Sequence, residues 1–100
     1  MDDLYARFLP QFVALARTRL AHAISTASVR DDGAVTTTLR ELHTLAGEAG
    51  LLGLRVLIPL ARDCELKAKQ LLISRADADV EVLVAALRQL VGRIEEVSKA

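Results

Sequence analysis

His43 is the residue on which chemistry can be built. It lies in Leu42-His43-Thr44-Leu45-Ala46-Gly47-Glu48-Ala49-Gly50, a stretch with helical patterning, and on a helix side chains three, four and seven places apart share a face. Toward the C-terminus those places hold Ala46, Gly47 and Gly50, so nothing large shades the imidazole. Glycine inside a helix costs about 1 kcal/mol relative to alanine, and Gly47 therefore signals a need for close access to the ring. A neutral imidazole carries one N–H and one lone-pair nitrogen. A carboxylate that accepts the Nδ1 proton would fix the tautomer and leave Nε2 as a nucleophile suited to phosphoryl transfer. Glu65 is the candidate carboxylate. Arg62 and Lys69, which flank it at helical spacing, and Arg40, one turn before His43, are candidate cations to balance an attached phosphoryl group.

No glycine-rich phosphate loop, nucleotide motif or acidic metal cluster accompanies these residues. A histidine alone holds a phosphoryl group but does not take one from a nucleotide, so donor and acceptor are expected to be other proteins. The chain reads as a carrier rather than an enzyme, with no cofactor of its own. The two histidines, His22 and His43, fall on separate helices without clustered Cys or acidic partners, which argues against a metal or haem centre. His22 reads as an ordinary surface histidine, and Cys64 as a small buried hydrophobe.

The elements that must position His43 follow from composition and periodicity. One hundred residues, 52% of them apolar, make a single domain over 1–100 with one core. Thirteen basic and thirteen acidic residues are interspersed, giving a net charge of zero, so the basic face of a nucleic-acid binder is missing. No apolar run approaches a membrane span, the acidic start lacks the pattern of a signal peptide, and the lone cysteine fits a reducing cytoplasm. Leu4, Phe8, Phe12, Leu15 and Ile24 give the first helical stripe. Pro10 predicts a short first helix, then a break or kink into a longer one ending near Ser28. Asp31-Asp32-Gly33 reads as a turn.

From about Ala34 a second stripe uses Val35, Leu39, Leu42, Leu45, Ala49 and Leu52, with His43 on its flank, and Gly50 or Gly53 ends that helix. A third helix runs from about Leu54 to Ile73 on Leu54, Leu57, Ile58, Ala61, Cys64, Ala68 and Leu71, its first turns loosened by Pro59. Asp77 is the expected N-cap of a last helix carrying Val80, Leu83, Leu87, Leu90, Ile94 and Val97, widened by Val84 and Val91. Short loops between long helices make antiparallel neighbours, and the last seam reads as a bundle wall rather than a dimer zipper. In the middle antiparallel pair the flanks of His43 and Glu65 either face each other or point apart. Pattern alone does not choose the hand.

These residues resemble the histidine phosphotransfer (HPt) domains. That family's motif runs from a histidine through an apolar residue, a lysine and a glycine to a small residue, a second glycine and further apolar positions, and often closes on Glu or Gln. Here His43, Leu45, Gly47, Ala49, Gly53, Leu54, Leu57, Leu60 and Glu65 fill those places, and Ala46 stands where lysine is usual. The resemblance implies an all-α, antiparallel up-down four-helix bundle with a short additional N-terminal helix. It implies phosphorylation of His43 at Nε2, with receiver domains of hybrid histidine kinases and response regulators as partners. Their aspartate and bound Mg²⁺ would supply most of the catalysis. The docking surface would be the apolar skin around His43, with Leu4, Tyr5, Phe8, Leu51 and Leu52 as candidates. Ala46 leaves two expectations: the missing charge is replaced by Lys69, Arg62 or Arg40, or the chain is a non-relaying module that docks on a kinase or receiver.

Overall fold

The computed structural model describes residues 2–29 and 31–99, and at residues 2–4 the backbone alone. Four helices account for nearly all of it: α1 (Asp2–Ala27), α2 (Asp32–Leu51), α3 (Leu57–Ser74) and α4 (Asp77–Lys99). Each helix lies beside its neighbours in sequence, and α1 closes against α4, making a square up-down bundle. The molecule measures 44 × 19 × 19 Å, its long axis set by helix length. Leu42, Leu45, Leu57, Leu71, Leu83, Leu87, Leu90 and Ile94 are its largest fully buried side chains.

The separate short helix expected before Pro10 is absent, because α1 runs through that residue without interruption. Pro10 and Ala6 are both exposed. The carbonyl that loses its donor is thus on the watered side, where solvent replaces the missing bond. The buried stripe of α1 also differs from expectation. It is Phe12, Val13, Ala16, Leu20, Ala23 and Ala27, while Phe8 and Leu15 are exposed and Ile24 is half-buried. Small residues at the contact let helices approach closely, so alanines occupy the seam that counting large apolar residues assigns to leucine.

The connections are set by local chemistry. Asp31 is the N-cap of α2: its Oδ2 accepts the Ala34 N–H at 3.0 Å. Asp32 and Gly33 are consequently the first helical turn rather than a loop. At the other end Gly53 adopts φ +75°. The Leu54 N–H reaches the Ala49 carbonyl at 2.8 Å and the Gly53 N–H reaches Gly50 at 3.2 Å, a Schellman closure with Leu54 buried beneath it. The helix α3 therefore begins at Leu57, later than Leu54. Pro59 is its third residue, where no N–H has an intrahelical acceptor, so the proline does not loosen the start. At the start of α4 the Ala76 carbonyl takes the Asp79 and Val80 N–H groups. Asp77 is thus the first helical residue and not the cap. The Ser74 hydroxyl accepts from Ala76 N–H and donates to Asp79.

Candidate functional site

Leu42 and Leu45 are each 1% exposed. Burying these two residues on either side of His43 turns the imidazole outward from the middle of α2, and its side chain is 86% exposed. On α3 the same logic applies to Glu65. Cys64 and Ala68 are buried, which leaves Glu65 on the edge facing α2 with its side chain 16% exposed. Its Oε1 is buried and makes no hydrogen bond. That oxygen lies 3.6 Å from His43 Nδ1, just beyond hydrogen-bond length. The packing hand has therefore brought the two flanks together. A buried carboxylate oxygen without a donor is costly, and the donor within a small rotation of it is the Nδ1 proton. A proton on Nδ1 would give that oxygen its donor and would leave the lone pair on Nε2, at the far edge of the ring.

A second contact fixes the register of the pair. A β-carbon at Gly50 would lie 3.8 Å from Ile58 Cδ1. His43 is as far from Gly50 along α2 as Glu65 is from Ile58 along α3, so the helices keep step over two turns. Between them lies an open groove of about 660 Å³ lined by His43, Ala46, Gly47, Gly50, Ile58, Arg62, Glu65, Leu66 and Lys69. Ala46 is buried at 9% exposure, set deeper than its place on the flank suggests. A β-carbon at Gly47 would meet nothing within 4 Å. Packing thus makes no demand for glycine there, and the space is open to an incoming group.

Arg62 and Lys69 line this groove, and neither makes an ion pair among the described residues. Lys67 is held by Asp63 at 3.0 Å and Glu48 by Arg19 at 3.2 Å. Arg40 is exposed and outside the lining; its carbonyl accepts the Thr44 hydroxyl at 3.0 Å. Cys64 takes no part: burial pushes its thiol up to about 12, which keeps it protonated and unreactive. Among the described residues no group of three His, Cys, Asp or Glu is placed to hold a metal ion. No helix among the described residues is long and apolar enough to cross a membrane.

Of the expected docking residues, Phe8, Leu51 and Leu52 meet in a second groove of about 370 Å³ between α1 and α2, with Gln11, Phe12, Leu15 and Glu48. Tyr5 is exposed but outside that lining, and the side chain of Leu4 lies outside the described residues. Leu15 and Leu66 were missing from the sequence-derived surface. Leu66 was open to detection, as a large apolar residue off the core stripe of α3. Leu15 was not, because its spacing matches the apparent stripe of α1.

The Hpt domain family model matches residues 7–98 and so spans all four helices. No curated protein and no solved structure gives a significant match. The chain belongs to the Hpt domain family, the helical phosphocarriers that exchange phosphoryl groups with receiver domains in two-component phosphorelays.

Proposed function

We propose that His43 is the phosphoryl-carrying residue. In this reading the chain relays phosphoryl groups between the receiver aspartate of a hybrid histidine kinase and that of a response regulator, as a cytoplasmic monomer. The supporting observation is an imidazole 86% exposed whose Nδ1 faces a buried, unpartnered carboxylate oxygen at 3.6 Å. The Nε2 lone pair attacks phosphorus of the aspartyl phosphate, the P–O bond to the aspartate breaks, and its electron pair returns to the carboxylate. No proton has to leave. The product is an imidazolium that keeps its Nδ1–H and carries the phosphoryl group on Nε2, and Glu65 offsets the new positive charge. The reverse step discharges the group onto the next aspartate. The receiver supplies Mg²⁺ and most of the transition-state stabilisation. Its docking face is the apolar surface of exposed Phe8, Leu15 and Leu51 and half-buried Leu52, with exposed Leu66 on the other flank of His43.

Ala46 favours a second reading, a module that docks without relaying. Incubation with phosphorylated receivers separates the two. The relay requires an acid-labile phosphoryl group on the wild-type chain and none on His43→Gln. A docking module binds equally well as His43→Ala and gains no phosphoryl group, and that result overturns the relay.

A further inference from the structure

We infer that Arg62, reaching across from α3, is the cation that contacts the phosphoryl group on His43. The inference rests on His43 being the phosphoryl-carrying residue. The contacts of His43 with Glu65 and of Gly50 with Ile58 fix the antiparallel register. Stepping inward from each by the same number of residues sets Ala46 level with Arg62. Ala46 is the residue one turn beyond His43 on the ring's own face. It is buried and carries no charge. The strand of space above it is kept open by Gly47, where even a β-carbon would touch nothing within 4 Å. Arg62 is exposed, lines this groove and makes no ion pair among the described residues. A guanidinium is planar, permanently charged and able to hold two phosphoryl oxygens at once.

The geometry separates Arg62 from the other cations. Counted the same way, Lys69 stands level with Leu39, on the opposite side of His43 from Ala46 and Gly47. Arg40 does not line the groove. The charge has thus moved between helices: a small residue on α2 makes room for a long cation on α3. Position 46 and position 62 should then be coupled, each able to supply the charge when the other does not.

The test uses the whole chain with phosphoramidate as donor, so that no partner has to be identified. Nε2 attacks phosphorus, the P–N bond breaks, and the nitrogen leaves as ammonia with the proton it already carries. Phosphohistidine formation and decay are followed by ³¹P NMR, with His43→Gln setting the background from His22. Arg62→Ala is expected to slow formation about three- to fivefold, the size of a solvent-exposed charge contact, and to shorten the lifetime of the phosphohistidine. Arg62→Lys should recover part of the rate, Lys69→Ala should change it less, and adding Ala46→Lys to Arg62→Ala should restore it. Wild-type rate and lifetime in a folded Arg62→Ala overturn the inference and leave the assignment of His43 intact. A wild-type chain that gains no more phosphoryl group than His43→Gln overturns both.

Discussion

Gly47 and Glu65 carry opposite kinds of information about His43. Alanine at position 47 has open space for its β-carbon. It is expected to strengthen α2 by up to about 1 kcal/mol, raising Tm by about 4–8 °C for a domain of this size. In the proposed relay the same change should slow exchange with a receiver by crowding the approach to His43. Thermal unfolding and a transfer assay on one preparation check the two halves, and a stabler variant of unchanged rate would remove Gly47 from the site. Glu65→Ala deletes a buried oxygen that has no hydrogen bond, so little folding free energy depends on it. Tm should stay near wild type while transfer falls severalfold as the ring loses the carboxylate beside Nδ1. Marked destabilisation with unchanged transfer would make Glu65 a packing residue instead.

The α3–α4 corner offers a test of how helix ends are made. Arg75 sits at φ 56°, its N–H bonded to the Leu71 carbonyl at 2.8 Å, in a conformation where glycine bears no β-carbon penalty. Arg75→Gly relieves a left-handed cost of about 1 kcal/mol and gives up the side-chain contacts of Arg75, the exposed one with Asp32 among them, so a modest rise in Tm is expected. A lowered Tm would show that the side-chain contacts of Arg75 outweigh the strain. This corner also shows what a sequence withholds. Gly53 announces the end of α2 by its type, and Gly53 holds the positive φ. Arg75 announces nothing, since its left-handed backbone is imposed by the helices on either side. Pro10 misleads in the other direction. Its usual effect is to break a helix, but an exposed break in the ladder is absorbed by water, and that depends on which face of α1 turns outward. The core stripes of α2, α3 and α4 were legible because their apolar residues recur at three- and four-residue spacing, anchored by leucines such as Leu42, Leu45, Leu57, Leu71, Leu83 and Leu87. The stripe of α1 was not, because alanines form much of its seam.

For the molecule as a whole, the α1–α4 seam closes the square, and its outer edge carries a fork of two bonds from Arg17 to Glu95, at 2.5 and 2.7 Å. The bonds from Arg17 hold the Glu95 carboxyl below the usual carboxylate range. A group whose acidity is increased by folding adds stability above its unfolded pKa and loses it as pH falls through the lower, folded value. The Tm advantage of wild type over Glu95→Gln should therefore be full near neutral pH and vanish in acid. A gap of constant size across that range would show that charge is not its source. The candidate site follows the same division between residue and packing. His43, Gly47 and Glu65 were legible as types at helical spacing, but their meeting depended on the hand of packing and the register of α2 against α3, which belong to the assembled bundle. That assembly leaves His43 86% exposed, beside a groove whose lining among the described residues comes from α2 and α3 alone. In the proposed relay one imidazole on one face serves both partners, so donor and acceptor exclude each other and the exchange is ping-pong. An excess of either partner then slows the traffic by occupying the berth that the other needs.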